Sequence, residues 1–545
     1  MEAPIRDPQR AALMALAWIF LVGAAVALRP ILPIDETRYV SVAWEMWVRG
    51  DFLVPHLNGL PYSDKPPLLF WLFHLGWWFF GVNDWWPRMV PALFALANLG
   101  LTARLARRLW PDRPQAALSA PAILLGFLLW NVFTTMVMFD MLVAFCALLA
   151  MLGLEEAWRR GGVRPWLQVG GALGLGILAK GPVVLVLPLA VAFSAPWWGR
   201  ETGSLSPGTG ERAGERGNGI NYWPRLAGAV GLTAVIALAW ALPAAAAGGS
   251  DYANAILVRQ TEGRMVYSYA HGHPWWWYFA LLPGLLYPYS FWPPLWQEAF
   301  RRRAADPGLR FCLAWLVPGL VIFSLISGKQ PHYLLPLMPA FALIASRLLT
   351  EAGVTIRRWH LLPALSLLVL VGAALVAAPL LGPRHGLSSW PSWTPDVSPG
   401  VGLAMIALAL ASFFLFDRIF ARRAAAPTLI TMALVIGAHL GLSEAAREAY
   451  DLEPIARYLS FAEKQGRPIA YVGDYHGQFH FLGRLERPFQ EIPGGSESLW
   501  IRQNPRGKVI QDLKYLPPDV SRAEFTQPYR DDVLAVWGRE GIPGT

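Results

Sequence analysis

The chain has 545 residues, of which 55% are hydrophobic and only 15% are charged. This balance excludes a string of soluble domains, which a chain of this length could otherwise form, and it predicts a polytopic membrane protein. The net charge of +9 arises from 46 basic and 37 acidic side chains. Because the surplus lies in short arginine clusters between apolar runs, we expect no nucleic-acid partner.

The cysteine content excludes two further classes of protein. Only Cys146 and Cys312 are present, and both fall within apolar runs. Two such residues provide neither a disulfide framework nor a zinc-finger site.

The apolar runs set the number of membrane spans. A spanning helix needs about 20 mostly apolar residues, and on this criterion the sequence predicts about thirteen. No small-residue cleavage site follows the first run, so we expect it to be a retained span and not a signal peptide. The predicted spans cover residues 11–28, 88–106, 116–133, 141–157, 166–180, 182–198, 226–247, 278–297, 310–327, 334–350, 359–381, 400–416 and 426–442.

One further apolar run, Pro66–Phe80, is too short for an ordinary span and carries His74. We interpret it as an interfacial helix that lies along the membrane surface. The alternative is a short true span, which would invert the orientation of every later loop.

The arginines decide between these orientations, because loops on the cytoplasmic side carry the positive charge. With the N-terminus in the cytoplasm, the arginine clusters all fall in cytoplasmic loops, and the tail after Leu442 lies outside. The clusters are Arg104, Arg107, Arg108 and Arg113; Arg159, Arg160 and Arg164; Arg200, Arg212, Arg216 and Arg225; Arg301, Arg302, Arg303 and Arg310; Arg357 and Arg358; and Arg418, Arg422 and Arg423.

The composition changes near residue 443 and predicts two domains, a membrane domain at 1–442 and a soluble domain at 443–545. About a hundred residues suffice for one small α/β domain. We predict a helix that starts after Asp451 and strands at Pro468–Gly473 and Asp532–Trp537.

The first outer loop, Arg29 to Lys65, concentrates polar side chains. Adjacent carboxylates point apart on a regular element, so only one of Asp35 and Glu36 can face a given site. The alternative reading of this pair is a helix cap followed by a first-turn acid. The other function-capable residues of the loop are Arg38, Tyr39, Tyr62, Asp64 and Lys65.

Lysine is rare in residues 1–442, which contain only Lys65, Lys180 and Lys329. All three are predicted at the outer ends of spans, where positive charge is disfavoured. A flexible ammonium at the membrane surface suits a phosphate head group. The alternative is that these side chains only anchor helix ends.

Other polar residues on the outer side are less specific. Asp140 opens a span and is either a helix cap or a substrate contact. His271 and His273 are two residues apart with no third ligand in sight, so the sequence predicts no metal site there.

Taken in order, several segments resemble the protein mannosyltransferase and aminoarabinose transferase family. Members of this family are glycosyltransferases of the GT-C fold that use a sugar linked to a polyprenyl phosphate. The match runs from about Asp35 to Pro339. The segments are Asp35-Glu36-Thr37-Arg38-Tyr39, Tyr62-Ser63-Asp64-Lys65-Pro66-Pro67, Asp140-Met141-Leu142, Ala179-Lys180-Gly181-Pro182 and Ser327-Gly328-Lys329-Gln330-Pro331-His332-Tyr333.

The resemblance implies a role for each matched residue. Asp35 would be the catalytic acid, and the lipid phosphate would be held by Lys65, Arg264 and Tyr333, to which the lysine pattern adds Lys329. One departure concerns Asp64, where the aminoarabinose transferases carry Glu, which leaves the sugar and the acceptor open. The cavity would be lined by Glu36, Arg38, Tyr39, Tyr62, Asp64, Asp140 and Lys180.

The resemblance also implies a function and a location. We expect an α-helical GT-C membrane protein with a small C-terminal α/β domain, and we expect it to be a monomer. It would lie in a bacterial inner membrane, with its active site and C-terminal domain in the periplasm. It would transfer a sugar from undecaprenyl phosphate to a lipid A-type acceptor. Transfer to protein or to another envelope glycan is the alternative with the same chemistry, and a transporter or lipid flippase is the alternative from another class. No cofactor is predicted, and assistance by a divalent cation stays open.

Overall fold

The computed structural model describes residues 7–199, 219–259, 272–301, 306–350, 356–381, 391, 393–415, 426–514 and 520–541. Helices dominate up to residue 441, and a five-stranded sheet with its helices follows. The predicted fold class, a helical membrane protein with a small C-terminal α/β domain, is confirmed.

The first half of the membrane domain contains eleven α-helices among the described residues and one two-stranded hairpin. The hairpin lies in the first outer loop and pairs β1 (His56–Leu57) with β2 (Leu60–Pro61). The helices are α1 (Asp7–Leu28), α2 (Asp35–Arg49), α3 (Leu68–Phe80), α4 (Trp85–Leu109), α5 (Pro114–Gly126), α6 (Leu128–Thr134), α7 (Asp140–Arg160), α8 (Arg164–Lys180), α9 (Val186–Phe193), α10 (Ala195–Trp198) and α11 (Gly219–Asn254).

The second half of the membrane domain is built from seven α-helices among the described residues, with several short helical turns between them. A 3-10 turn at Pro331–Leu337 leads directly into the helix that follows it. The α-helices are α12 (Trp277–Leu285), α13 (Pro293–Arg301), α14 (Pro307–Leu325), α15 (Met338–Leu349), α16 (Leu362–Leu381), α17 (Pro399–Phe414) and α18 (Ala426–Gly441).

The helix lengths refine the predicted number of spans. Among the described residues, six helices are long and apolar enough to cross a membrane, and up to eight are if two bent pairs each count as one span. Every one of the thirteen predicted spans coincides with helical residues, but several are short or interrupted. The run 182–198, for example, is divided between a 3-10 turn and two short helices, α9 and α10.

Proline explains the interruption of another predicted span, 278–297. Pro288 lies between α12 and a short 3-10 turn, and Pro293 begins α13. Proline lacks a backbone N–H and disfavours the helical conformation of the residue before it, so these prolines favour the breaks that separate α12 from α13. The apolar composition therefore predicted the membrane location but not the breaks.

The helix α3 has 13 residues. At 1.5 Å per residue it is about 20 Å long, which is less than the hydrocarbon thickness of a bilayer. Trp78 and Phe79 on this helix are strongly exposed. These observations agree with the interfacial position predicted for this run.

The C-terminal domain begins with two helices, α19 (Ser443–Tyr450) and α20 (Glu453–Lys464), and has two shorter ones, α21 (His480–Gly483) and α22 (Glu497–Gln503). Its sheet has the order β4-β3-β5-β7-β6, in which β3 pairs in parallel with β4 and β5, while β7 is antiparallel to β5 and β6. The strands are β3 (Ile469–Val472), β4 (Gln490–Ile492), β5 (Lys508–Leu513), β6 (Phe525–Tyr529) and β7 (Asp532–Trp537).

Strand alternation gives this sheet two apolar faces. Ile510 and Val536 pack on one face with residues of α20, while Val509 and Ala535 pack on the other with Trp500. Side chains of successive strand residues point to opposite faces, so these two pairs must separate in this way. The helix and the two strands that the sequence predicted for the tail are present as α20, β3 and β7.

Candidate functional site

The predicted catalytic acid lies at the start of α2. Asp35 is the first residue of this helix, and its side chain is 53% exposed. Its Oδ1 atom lies 3.4 Å from a guanidinium nitrogen of Arg38, one turn later on the same helix. Asp35 is therefore accessible from outside the bundle while its charge is partly balanced.

The neighbouring acid, Glu36, is buried and makes four hydrogen bonds. Its carboxylate accepts bonds from Arg29 at 2.6 and 3.0 Å and from the backbone N–H groups of Leu32 and Val137, each at 2.7 Å. Burial alone would raise the pKa of Glu36, but Arg29 and the backbone N–H of Leu32 outweigh burial and lower it. The structure thus places Glu36 as an anchor of α2, and its predicted contact with substrate stays a prediction.

The alternative prediction, that Asp35 caps the helix and Glu36 is a first-turn acid, is wrong for Asp35. Ile34 occupies the cap position, no side chain caps α2, and both acids belong to the first turn. Acidic side chains in the first turn are favoured by the helix dipole. As expected for adjacent residues, only one of the two carboxylates faces outward.

A second group of predicted site residues meets where α7, α8 and the Pro331–Leu337 turn converge. Lys180 Nζ lies 2.5 Å from Asp140 Oδ1 and 4.5 Å from the ring centre of Tyr333. Asp140 starts α7 without a capping hydrogen bond, and its side chain is only 3% exposed. Desolvation offsets most of the attraction in such a buried pair, so stability alone is a weak reason for its presence.

His332 joins this group and was not among the predicted site residues. Its Nε2 atom lies 4.0 Å from Asp140 Oδ2, and its ring packs edge-on against Tyr333, with the ring centres 4.8 Å apart. The imidazole also experiences the charges of Asp35 and Lys65. We refer to Asp140, Lys180, His332 and Tyr333 as the Asp140 cluster.

Tyr39 and Tyr62 connect α2 with this cluster. The phenol of Tyr39 is buried against Phe139, with ring centres 4.9 Å apart, and lies within electrostatic range of Asp35, Tyr62 and Asp140. Burial, together with the negative charge of Asp35, raises the pKa of Tyr39 well above its usual value. Tyr39 is therefore a neutral hydrogen-bonding group at neutral pH.

Asp64 and Lys65 lie in a bend directly before α3, and both are half-buried. The charge of Lys65 reaches His332, which places this lysine on the same side of the molecule as the Asp140 cluster. The structure therefore brings the loop that contains Lys65 together with α7, α8 and the Pro331–Leu337 turn around one region.

The other two predicted phosphate contacts are Arg264 and Lys329. Arg264 lies outside the described residues. Lys329 is 2% exposed, and its ammonium donates to the carbonyl oxygens of Ile326 at 2.5 Å and of His273 at 2.8 Å. These bonds fix the loop before the Pro331–Leu337 turn, and a phosphate contact by Lys329 stays a prediction.

The described residues provide no group of three His, Cys, Asp or Glu side chains that could hold a metal ion. Asp140, an enclosed acid of the site, is already next to Lys180 and His332. The cations and the phenol of this region can recognise an anionic group beside the accessible carboxylate of Asp35.

Known proteins share both sequence and fold with this chain. Residues 64–203 match the family described as dolichyl-phosphate-mannose-protein mannosyltransferase. The undecaprenyl phosphate-alpha-4-amino-4-deoxy-L-arabinose arabinosyl transferase of Erwinia tasmaniensis is 30% identical over 341 residues, which are 61% of this chain and 58% of that protein. A Pseudomonas fluorescens protein of the same name is 30% identical over 58% of this chain and 55% of its own length.

The solved structure of ArnT from Cupriavidus metallidurans in the apo state superposes with a TM-score of 0.71 at 19% identity, covering 97% of both chains. The structure of that protein bound to undecaprenyl phosphate gives a TM-score of 0.70 at 19% identity and covers 98% of both chains. The chain has the ArnT fold. The resemblance inferred from the ordered motifs is therefore confirmed, although the matched curated relatives are spanned over little more than half of their length.

The sequence contains one indication that His332 belongs to the site, which is its position next to a predicted site residue. His332 immediately precedes Tyr333 in the segment that carries the resemblance. A single histidine gives no spacing pattern, so its position beside Asp140, nearly two hundred residues earlier in the chain, became visible only in the fold.

Proposed function

We propose that this chain is an integral-membrane glycosyltransferase that transfers a sugar from undecaprenyl phosphate to a lipid A-type acceptor. The observation that carries the proposal is the convergence of Asp35, Lys65 and the Asp140 cluster at one end of a helix bundle with the ArnT fold. The related curated proteins are named as undecaprenyl phosphate-dependent aminoarabinose transferases, which supports the choice of donor.

The reaction requires that the C1–oxygen bond of the sugar breaks and that an acceptor oxygen bonds to C1. The electron pair of the broken bond leaves with the polyprenyl phosphate, so fixed cations must stabilise that phosphate. We assign this task to the ammonium of Lys65, with the phenol O–H of Tyr333 as a hydrogen-bond donor and with Arg264 and Lys329 as further cationic contacts. The pair of Lys180 and Asp140 would hold the phenol ring of Tyr333 in place, since Lys180 lies over that ring.

Asp35 would act on the acceptor side. If the acceptor is a hydroxyl group, Asp35 accepts its proton as a general base. If the acceptor is a phosphate, no proton has to be removed, and Asp35 orients the acceptor or stabilises positive charge that develops on the sugar. Its exposed position at the start of α2 suits contact with a substrate that arrives from outside the bundle.

The arrangement of the helix ends supports the proposed orientation. Lys180 ends α8 and Asp140 begins α7, whereas Arg159 and Arg160 lie at the opposite end of α7. Because arginines favour the cytoplasmic side, the Asp140 cluster would face the periplasm. We therefore propose a bacterial inner-membrane protein with a cytoplasmic N-terminus, a catalytic membrane domain at 1–442 and a periplasmic domain at 443–545, which functions as a monomer.

Mass spectrometry of cells with and without this protein tests the proposal. We expect the lipid A fraction of cells that produce it to gain the mass of one sugar, and cells that produce Asp35→Asn to lack this gain. If the added sugar appears only on envelope glycoproteins, the proposed sugar transfer is retained, but protein replaces lipid A as the acceptor. Identical lipid A and glycoprotein masses in both kinds of cell would contradict the proposed function.

A further inference from the structure

The C-terminal domain contacts α2 through buried hydrogen bonds. The Ser41 hydroxyl donates to the carbonyl oxygen of Gly477 at 2.6 Å and accepts from the backbone N–H of Phe481 at 3.1 Å. Trp44, one turn later, donates from its indole nitrogen to the carbonyl oxygen of Leu485 at 2.7 Å. If this contact opened, buried donors and acceptors of both α2 and the C-terminal domain would lose their hydrogen-bond partners. The relative position of the two parts is therefore strongly specified.

The hairpin of the first outer loop is held by the same domain. The amide of Asn58 donates to the carbonyl oxygen of Phe489 at 3.1 Å and accepts from the backbone N–H of Phe489 at 2.7 Å. In addition, the rings of Trp77 on α3 and Phe481 stack with centres 5.4 Å apart and planes 9° from parallel. The domain therefore contacts three successive elements that surround Asp64 and Lys65.

Gly477 shows how closely the two parts approach. Its φ angle of 80° lies in the left-handed region, and a Cβ atom added there would stand 2.7 Å from Leu57 Cδ1 and 3.2 Å from Ser41 Cβ. Only glycine fits this position without strain and without displacing a neighbour. The chain thus passes as near to α2 as its backbone allows.

We propose that the C-terminal domain is a positioning element for α2, and that Ser41 and Trp44 are its positioning residues. This inference rests on the proposed function, because it concerns the orientation of Asp35. Ser41 follows Asp35 by six residues, about 9 Å along a helix that moves as a rigid unit. A shift or rotation of α2 at Ser41 is therefore transmitted to Asp35 and Arg38.

The start of α2 has a contact of its own with the same domain. Arg530 donates to the carbonyl oxygen of Pro33 at 3.3 Å, directly before the helix. At the membrane side, Glu36 is fixed by Arg29 and the backbone of Val137. The first turn is thus held between the two domains, which suits a catalytic carboxylate that must keep its direction toward a substrate.

The test compares Ser41→Ala with Ser496→Ala in the full-length protein. Ser496 also donates to a backbone carbonyl oxygen, that of Pro493, but within a turn of the C-terminal domain. We expect Ser41→Ala to lower kcat for sugar transfer by about tenfold with little change in the KM for the undecaprenyl phosphate donor. Hydrogen–deuterium exchange of peptides from residues 35–49 should become faster, and Ser496→Ala should change neither quantity.

A second variant keeps the test decisive if Ser41→Ala folds poorly. Trp44→Phe replaces the indole by a smaller phenyl ring and so removes the donor to Leu485 while it retains an aromatic side chain, and we expect the same separation of kcat from KM with faster exchange in α2. Equal exchange and equal kcat in these variants and the control would overturn the positioning role. If exchange is faster in the variants but the wild-type protein itself transfers no sugar, the contact is supported and the proposed function is contradicted.

Discussion

The Asp140 cluster and the first turn of α2 are built in different ways. The cluster is composed of residues at the ends of membrane helices, which pair with each other inside the bundle. Asp35, by contrast, is exposed and belongs to a helix that contacts the separate C-terminal domain. Under the proposed roles, the bundle would fix Tyr333 and the loop before α3 would supply Lys65 for the donor phosphate, whereas Asp35 would be positioned from outside the bundle.

The largest expected effect comes from Asp35→Asn. Removing the charge of the only outward-facing acid in the first turn of α2 should lower the rate of transfer by at least about 100-fold. The thermal unfolding temperature should change little, since the carboxylate is exposed and its ion pair with Arg38 is accessible to solvent. Transfer assays and thermal unfolding of the purified variant measure both quantities, and full turnover would exclude Asp35 as the catalytic acid.

Glu36→Gln is the matched opposite of that change. It removes the charge from a buried ion pair with Arg29, so we expect a loss of roughly 3 kcal/mol in the free energy of unfolding. Because the folded state lowers the pKa of Glu36, its contribution is present above the ordinary carboxyl pKa and is lost as the pH falls through the lowered value. Thermal unfolding as a function of pH should show this loss in the wild type and not in Glu36→Gln.

Lys65→Ala tests the recognition of the donor. A charged hydrogen bond to phosphate is removed, so the KM for undecaprenyl phosphate-linked sugar should rise by about tenfold or more. The variant Lys464→Ala, at the end of α20 in the C-terminal domain, removes the same kind of charge elsewhere and should leave the KM unchanged. An unchanged KM for Lys65→Ala would contradict its role in holding the phosphate.

His332→Phe should have the smallest effect. The substitution retains an aromatic ring against Phe133 and Tyr333 but removes the nitrogen that faces Asp140. We expect kcat/KM to fall by several-fold to about tenfold, because the ring only supports the cluster. A loss as large as that of Asp35→Asn would instead assign His332 a direct part in the reaction.

Much of the fold followed from the sequence because apolar composition directly reports membrane helices. The prediction of a span at 141–157 corresponds to α7, and the change of composition near residue 443 coincides with the start of α19. The breaks within 182–198 and 278–297 were missed, although prolines lie there, because average hydrophobicity does not register the loss of a backbone donor.

The candidate site was predicted in part. Lys65, Lys180 and Tyr333 were singled out from their residue types and motifs, and the fold brings them to one region. The burial of Glu36 could not be predicted, because it depends on the backbone of Val137, about a hundred residues later. The bonds of Lys329 to carbonyl oxygens likewise depend on a distant loop that contains His273.

The most direct test of the account is the reaction itself, with purified protein, an undecaprenyl phosphate-linked sugar and lipid A. The account predicts that wild-type protein forms lipid A heavier by one sugar and releases an equal amount of undecaprenyl phosphate, and that Asp35→Asn and Lys65→Ala are impaired. If folded wild-type protein leaves the donor intact with lipid A and with envelope protein acceptors alike, the central claim is contradicted.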